Sequence, residues 1–480
     1  MGRDYSKLLS LAVFLSAFLI QLMRFPPWNT LTYDGALYID IARNLAVNPT
    51  SFTYQGIYMM YRPPLYPYTL SIGYHFIHGP LAQLTMARIV SLIFFALTAV
   101  ITYLTTTELF GRRWKGLIAS AFFITNPLAF TMGTRELVHS EFTFFYALSL
   151  YLIYTGRKRK TALRVYLAFV AAGLAVLTRY TGLSIIAVII TYLYLTDYWN
   201  WVKRREYWIG FALFGLTLLP WLYLGYLHYG GALRPFQIAT RVVTLAKPVS
   251  ASEYVRWLMR DVGKILLGLA IFGFLRLKQN EEGWFTVSWA TIGFMMILTV
   301  THKETRFITF LSPVIGILAE QGAEIITDAL ERIPTFSFGN GVRNHRKAAT
   351  TGVVAILLVP VFLGAVNLKN RWNMTGRDES EVLRYASEHY VLPNGTLLVS
   401  PYLYTMAGLY YPDAHIDMIL YEKKIEKRIS EGYYDLIIHE EPNTYLNITS
   451  SYHYILIKEF YKGKFKLFLN RNIAHPSGGS

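Results

Sequence analysis

The sequence predicts an α-helical polytopic membrane protein with a small soluble α/β domain at its C-terminal end. Of the 480 residues, 53% are hydrophobic and only 16% are charged, whereas about a quarter of the residues in a typical soluble protein are charged. The mean hydropathy is +0.31. Apolar runs of roughly 20 residues recur along the chain, and this length is sufficient to cross a ~30 Å hydrocarbon core.

Eleven such runs lie in the first 368 residues, which form the predicted membrane domain. This domain also contains a long external loop at 26–80 with amphipathic helical character. We place the eleven spans near residues 8–25, 82–107, 116–132, 138–155, 163–178, 182–197, 208–226, 262–276, 284–300, 307–325 and 349–368.

The connections between the spans alternate in character and predict the topology. One set is short and basic, namely GRRWK at 111–115, GRKRKTALR at 156–164 and VKRRE at 202–206. Lys and Arg concentrate in cytoplasmic loops, so we expect this set inside the cell and the loop 26–80 outside. The N-terminus is then cytoplasmic, and an odd number of spans places the C-terminal domain on the outer side of the cell membrane.

The net charge of +16 lies entirely in the membrane part. From Lys369 to the end, 13 basic residues balance 13 acidic ones. The excess favours anionic membrane lipids and phosphate-bearing substrates as partners. Nucleic acid is a poor candidate, because the basic residues sit in short arms between apolar spans. Since the chain has no cysteine, disulfides and thiolate metal ligands are excluded.

Residues 369–480 are predicted to form the soluble α/β domain. SEVLRYASEHY at 380–390 has helical periodicity, and LLVS at 397–400 is typical of a strand. DLIIHE at 435–440 and YILIKEF at 454–460 predict further strands, and KFKLFLNR at 464–471 alternates like an exposed strand. Glycosylation sequons favour an external location, and they begin at Asn373, Asn394 and Asn447.

Asp34 lies in LTYDGALYIDIARNL, just after the first span. Leu37, Ile41 and Leu45 share one helical face, so residues 35–46 are predicted to form a short helix on the membrane surface. Two roles for Asp34 remain open at this point. It is either the N-cap of this helix or a reactive carboxylate placed at the membrane exit.

Basic residues recur at the outer ends of later spans. Arg62 precedes two prolines in YRPPLYP, which hold the chain extended, and Arg179 ends a helix in LTRYTGL. Each could be an ordinary loop or helix-terminal cation, but an arginine on a stiff segment also suits phosphate. The motif HKETRF at 302–307 adds His302, Lys303, Glu304 and Arg306 in one turn.

Carboxylates accompany these cations in TRELVHSEFTFF at 134–145. Glu136 and Glu141 flank the top of the third and fourth spans. Glu141 opens an apolar helix, where a first-turn carboxylate is ordinary helix chemistry. Several neighbouring residues are candidates for substrate binding, namely Tyr33, Tyr61, Glu136 and Glu304.

The inventory of carboxylates and cations on one side of the membrane matches glycosyl transfer from a lipid phosphate. A polyprenyl phosphate leaves as an anion, so it needs cations to stabilise it and one carboxylate to activate the acceptor hydroxyl. Asp34, helped by Glu141, fits the base. The predicted phosphate clamp consists of Arg62, Arg179, His302, Lys303 and Arg306.

Two alternatives remain open. A transporter or flippase of lipid-linked sugar would bind the same phosphate without chemistry, although ionisable residues avoid the span centres that such a protein uses. A glycan ligase with a lipid-diphosphate donor would share the clamp. The acceptor also stays open and could be a glycan, a lipid or a protein.

These motifs resemble the membrane glycosyltransferases of the GT-C fold, especially the group of protein O-mannosyltransferases and lipid A aminoarabinose transferases. The resemblance covers nearly the whole chain. YDGALYIDIARNL is similar to the acidic motif of their first external loop, with Gly35 in place of the usual Glu. The resemblance further implies phosphate contact by Arg62 and Arg179, and a second acid at Glu141.

HKETRF resembles a motif of the dolichyl-phosphate-mannose-dependent mannosyltransferases, which implies mannose as the sugar. The resemblance implies no nucleotide or metal cofactor, and the histidines show no ligand spacing. The metal-dependent oligosaccharyltransferases of this fold carry a WWD motif that the sequence lacks. The high Tyr, Lys and Ile content suits a thermophilic archaeon, where the lipid carrier is dolichyl phosphate.

Overall fold

The computed structural model describes residues 2–244, 248–331, 342–419, 423–441 and 451–474. The sequon at Asn447 lies outside these residues. By its contacts the chain divides into two units. The first consists of Met1–Phe25, Met60–Tyr66 and Arg88–Trp372, and the second of Pro26–Met59, Pro67–Ala87 and Asn373–Ser480. The second unit therefore combines most of the predicted external loop with the predicted soluble domain.

The described part of the first unit is built from helices. These are α1 (Gly2–Leu22), α4 (Pro80–Phe110), α5 (Arg113–Thr125), α6 (Pro127–Met132), α7 (His139–Lys158), α8 (Ala162–Thr178), α9 (Ser184–Asp197), α10 (Arg205–Tyr229), α11 (Arg234–Thr244), α12 (Ala251–Leu258), α13 (Lys264–Leu275), α14 (Glu281–Thr299), α15 (Ser312–Glu331) and α16 (Val342–Trp372). Helix α4 begins in the second unit and continues into the first.

Each of the eleven apolar runs coincides with one or more of these helices, and the chain is a multi-pass integral membrane protein. Five helical stretches in the described residues are long and apolar enough to cross a bilayer: Pro80–Phe110, Tyr180–Lys203, Arg205–Tyr229, Thr305–Ala329 and Gly352–Trp372. The count of eleven spans and the orientation of the termini stay predictions.

Close helix packing and one break shape the first unit. A Cβ atom on Gly273 of α13 would overlap the main chain of α15, and one on Gly322 of α15 would overlap that of α13, so the two glycines let these backbones approach. The predicted span 116–132 breaks at Asn126, whose side chain caps α6 through the amides of Leu128 and Ala129.

The second unit contains a five-stranded mixed sheet with the order β4-β3-β5-β7-β6. Its strands are β3 (Thr396–Val399), β4 (His415–Met418), β5 (Leu436–Glu440), β6 (Tyr454–Phe460) and β7 (Phe465–Asn470). Strands β3, β4 and β5 are parallel, whereas β7 pairs antiparallel with both β5 and β6. The sheet is accompanied by α17 (Arg377–His389), α18 (Pro401–Tyr410), α19 (Lys423–Ser430) and α20 (Arg471–Ala474).

The strand predictions at 397–400, 435–440 and 454–460 are confirmed, but the prediction of an exposed strand at 464–471 is wrong. Strand β7 lies inside the sheet, and Leu467, Phe468 and Leu469 are buried. Its alternating sequence reflects one lysine, Lys466, rather than an exposed face.

The external-loop part of the second unit contains α2 (Tyr33–Val47), the hairpin β1–β2 (Thr53–Tyr54 and Ile57–Tyr58) and α3 (Leu65–Tyr74), which begins in the first unit. The helix predicted at 35–46 is confirmed. It lacks the exposed face expected of an amphipathic surface helix, because every residue from Gly35 to Ala42 is buried. Arg43 ties α2 to α18, since its guanidinium donates to the carbonyl oxygens of Gly408 and Leu409 at 2.9 and 3.2 Å.

Candidate active site

The turn HKETRF gathers its polar side chains around Glu304. Nε2 of His302 lies 2.9 Å from Oε1 of Glu304, and Arg306 donates from Nε to Oε2 at 2.6 Å. A second bond joins Nη2 of Arg306 to Oε1 at 3.0 Å. Glu304 therefore orients His302 and Arg306 together, and Arg306 and Lys303 give this turn two cations against one carboxylate.

Contacts from the preceding loop hold this turn in place. Lys303 is nearly buried and donates from Nζ to the carbonyl oxygen of Val249 at 3.2 Å. The hydroxyl of Tyr254 donates to the carbonyl oxygen of Glu304 at 3.3 Å. Thr305 donates to Asp261 at 2.8 Å. Lys303 is therefore committed in part to fixing the loop.

Arg179 joins the same cluster from the end of α8. It is the C-cap of this helix, as the sequence predicts, with an extended backbone. Its guanidinium carbon lies 4.1 Å from the centre of the Phe307 ring, and Nη1 lies 3.2 Å from Nδ1 of His139. A cation over a ring face is attracted by the ring quadrupole. Residues from α7, α8 and the HKETRF turn thus converge here.

The segment that carries Arg62 is fastened to the turn after Arg179. The amide of Met60 donates to the hydroxyl oxygen of Tyr229 at 2.8 Å, and the hydroxyl of Tyr180 donates to the carbonyl oxygen of Met60 at 2.8 Å. The indole of Trp221 in turn donates to Tyr180 at 2.9 Å. The amide and the carbonyl group of Met60 are therefore both held by hydrogen bonds, two positions before Arg62. The Arg62 guanidinium lies 5.4 Å from the Tyr61 ring.

Glu136 lies in a different environment from Glu141. Its carboxylate forms a fully buried ion pair with Arg88 of α4, with Nε and Oε2 2.9 Å apart. This pairing favours a structural role for Glu136. Glu141 is also buried, in the first turn of α7, two residues after His139.

Asp34 and Tyr33 belong to the second unit. The N-cap of α2 is Thr32, whose hydroxyl accepts from the amide of Gly35 at 3.1 Å. The interpretation of Asp34 as the N-cap is therefore wrong, and Asp34 lies in the first turn, where the helix dipole favours a carboxylate. The Tyr33 ring packs against Tyr402, with ring centres 5.7 Å apart.

Among the described residues of the first unit, the structure thus brings together Arg179, His302, Glu304 and Arg306, with Lys303 adjoining, and it ties the Arg62 segment to the Arg179 turn. Sequence reasoning missed the residues that organise this cluster, His139, Tyr180, Tyr229 and Phe307. Three of them lie inside the motifs discussed above, but nothing in one sequence marks them as partners of an arginine. No group of three His, Asp or Glu side chains in the described residues is suited to hold a metal ion, and the absence of a metal cofactor stays a prediction.

Residues 61–224 match the family model of dolichyl-phosphate-mannose-protein mannosyltransferases. This range contains Arg62, Glu136, Glu141 and Arg179. A curated protein from Aquifex aeolicus (strain VF5), described as uncharacterized, is 30% identical over 295 residues. The match spans 59% of this chain and 58% of that protein, less than two thirds of its length.

Solved structures match over nearly the whole chain at low identity. The crystal structure of ArnT from Cupriavidus metallidurans bound to undecaprenyl phosphate matches with a TM-score of 0.76 at 14% identity, covering 98% of this chain and 99% of that one. The archaeal oligosaccharyltransferase AglB from Archaeoglobus fulgidus, in complex with an inhibitory peptide and a dolichol-phosphate, matches with a TM-score of 0.58 at 14% identity, covering 91% and 70%. The chain therefore has the GT-C fold, and the resemblance drawn from its motifs is confirmed.

Proposed function

We propose that this chain is an inverting glycosyltransferase that moves a sugar from a polyprenyl-phosphate donor to an acceptor hydroxyl on the outer face of the membrane. The observation that carries the proposal is the cationic cluster in which Arg179, oriented by His139 and Phe307, converges with the HKETRF turn. Oriented cations of this kind stabilise the charge that develops on a departing phosphate.

In the proposed reaction the acceptor oxygen attacks the anomeric carbon from the face opposite the phosphate. Its proton passes to the Asp34 carboxylate. The bond between the anomeric carbon and the phosphate oxygen breaks, and its electron pair leaves with the polyprenyl phosphate. Arg62, Arg179, His302, Lys303 and Arg306 would hold that phosphate, and Glu141 would assist Asp34. The step needs no metal, nucleotide or other cofactor.

Mannose on dolichyl phosphate is our choice of donor. It is supported by the likeness of HKETRF to the mannosyltransferase motif and by the description of the family model that matches residues 61–224. The ArnT and AglB structures contain undecaprenyl phosphate and dolichol-phosphate, and both ligands belong to the lipid class that we propose here. The acceptor would be a glycan, a lipid or a protein.

The deciding experiment is a transfer assay with the purified chain in detergent, radiolabelled dolichyl-phosphate mannose and a membrane extract as acceptor. We expect label to move into a new product with wild type and not with Asp34→Asn, although both proteins bind dolichyl phosphate. Asp413→Asn, an exposed aspartate of the same unit, is the matched control and should transfer normally. Near-normal turnover by Asp34→Asn would remove Asp34 from the mechanism.

Two further results would replace the proposal. Donor binding without transfer to any acceptor in the extract, combined with movement of labelled lipid between leaflets of a vesicle, would establish a carrier. Transfer only from a polyprenyl-diphosphate glycan would establish a ligase.

A further inference from the structure

A second group of side chains lies at the carboxyl ends of strands β3 and β5. The proposed mechanism does not use these side chains. The chain leaves β3 through α18 to reach β4 on one side, and β5 pairs with β3 on the other side. The connections therefore diverge at the carboxyl ends of β3 and β5. In open sheets with parallel strands, ligands bind outside the carboxyl ends of the strands at such a switch point.

Glu440 is the last residue of β5 and lies at this switch point. Its amide donates to the hydroxyl of Ser400, the residue after β3, at 2.8 Å. Burial raises the pKa of the Glu440 carboxyl, although the nearby Lys464 opposes the shift. Oε2 is buried and has no hydrogen-bond partner in the described part of the chain. This oxygen therefore has an unused capacity to accept a hydrogen bond.

Lys464 shares its charge among several carboxylates around Glu440. Its Nζ lies 3.2 Å from Asp378, 3.9 Å from Glu379 and 4.0 Å from Oε1 of Glu440. One ammonium thus faces three carboxylates, and the group stays negative. A lipid phosphate would be repelled here, so the donor is excluded as the occupant.

Two tyrosines border the carboxylates. Tyr402, in the first turn of α18, is 59% exposed although its ring packs against Tyr33. Tyr402 follows Ser400, which accepts the hydrogen bond from the Glu440 amide, by two residues. Burial raises the pKa of Tyr33, and the negative charges of Glu379 and Glu440 raise it further. Tyr33 directly precedes Asp34. The half-buried Tyr33, whose ring packs against the exposed ring of Tyr402, is therefore adjacent in the chain to the proposed base.

We infer that Tyr33, Glu379, Tyr402, Glu440 and Lys464 form a strand-end site that binds a sugar ring of the acceptor. A tyrosine face packs against the apolar face of a sugar, while carboxylates accept hydrogen bonds from its hydroxyls. The inference rests on the proposed function, because it gives that reaction a carbohydrate acceptor. It also assigns acceptor selection to the unit that carries Asp34.

The test uses the full chain in detergent with dolichyl-phosphate mannose as donor and octyl α-mannoside, below its micelle-forming concentration, as acceptor. We expect Tyr402→Ala and Glu440→Gln to raise the KM for octyl α-mannoside about tenfold with little change in kcat or in dolichyl-phosphate binding. Tyr402→Phe should retain the wild-type KM. Tyr452→Ala removes an exposed tyrosine elsewhere in the same unit and should change nothing.

Unchanged KM values in both variants would overturn the inference and leave the transferase proposal intact. Transfer to a serine- and threonine-containing peptide but not to the mannoside would also overturn it. If wild type transfers to no acceptor, the proposed function fails, and saturation-transfer NMR with methyl α-mannoside decides the inference. A wild-type signal that is lost in Tyr402→Ala supports the site. Equal signals in the two proteins, or no signal in either, contradict it. Signals that disappear when a chelator is added also contradict it, because a bound cation would then mediate the contact.

Discussion

The guanidinium carbon of Arg179 lies 4.1 Å from the centre of the Phe307 ring. This contact joins the end of α8 to the HKETRF turn, although Arg179 and Phe307 are 128 residues apart and the sequence carries no obvious signal that they pair. The ring stabilises the guanidinium through a cation–π contact, and His139 adds a polar contact, with Nδ1 3.2 Å from Nη1 of Arg179. A lysine could supply the charge but not this geometry.

Arg179→Lys should therefore weaken binding of dolichyl phosphate about tenfold, since loss of a desolvated cation–π contact and of the planar fork costs roughly 1–2 kcal/mol. The dissociation constant can be measured by titration with dolichyl phosphate in detergent. Arg112→Lys, at an exposed position outside the cluster, serves as the control. Equal affinity in the two variants would remove Arg179 from the phosphate clamp.

Glu136→Gln should destabilise the protein rather than change substrate affinity. The substitution leaves Arg88 buried without its carboxylate, and breaking a buried pair in this way costs about 3–5 kcal/mol. The thermal midpoint of the purified protein should fall sharply, and the double variant Arg88→Met with Glu136→Leu should recover much of it. A variant with normal stability but a raised KM would instead assign Glu136 to substrate binding.

Gly376→Ala should destabilise the second unit. Gly376 has a φ of +64°, and a Cβ atom there would overlap the carbonyl oxygen of Leu31. The left-handed conformation costs an alanine about 1–2 kcal/mol, and the overlap adds to this. Gly79→Ala isolates the first contribution, because Gly79 has a φ of +88° with open space around it. Similar thermal midpoints for the two variants would show that the Leu31 segment can move aside.

Asp40 should make stability depend on pH between about 4 and 6. Burial raises its pKa from 3.8 to about 6, and Arg43 opposes the shift only in part. The folded state therefore holds this proton more tightly than the unfolded state. The stabilisation is complete below pH 3.8 and is lost as the pH rises to about 6, by roughly 3 kcal/mol in total.

Asp40→Asn removes this titration, so its thermal midpoint should vary less than that of wild type from pH 4 to 7. Arg43 keeps its bonds to Gln83 and to the carbonyl oxygens of α18 in the variant. Parallel curves for the two proteins would show that Asp40 ionises in the folded state with an ordinary pKa.

The sequence predicted the long helices well, because an apolar run of about 20 residues is compatible with few structures other than a long helix. It did not predict strand order, so β7 was assigned to the surface although β5 and β6 cover both of its edges. It also missed β4 and α18, whose short segments carry no strong periodicity. The choice of Thr32 over Asp34 as the N-cap could not be made from residue type, since both side chains cap helices well.

The charged residues of the candidate site could be predicted from the sequence, but the contacts that arrange them could not. The cations of the HKETRF turn and Arg179 stood out because charge is costly near a membrane. Their organisers did not, because His139, Phe307 and Tyr180 act through contacts with residues far away in the chain. Glu136 differs, since its buried pair with Arg88 explains it without a substrate. Lys303 is intermediate, because its ammonium donates one bond to the carbonyl oxygen of Val249 and keeps other N–H groups for a ligand.

The bonds at Met60 have a consequence for comparing relatives of this chain. Tyr180 and Tyr229 hold the amide and carbonyl groups that every residue except proline possesses. Because Met60 is buried, position 60 should accept only apolar side chains of similar volume, while the two distant tyrosines persist as a pair. An alignment should therefore show tyrosine retained at positions 180 and 229, and proline should be absent from position 60.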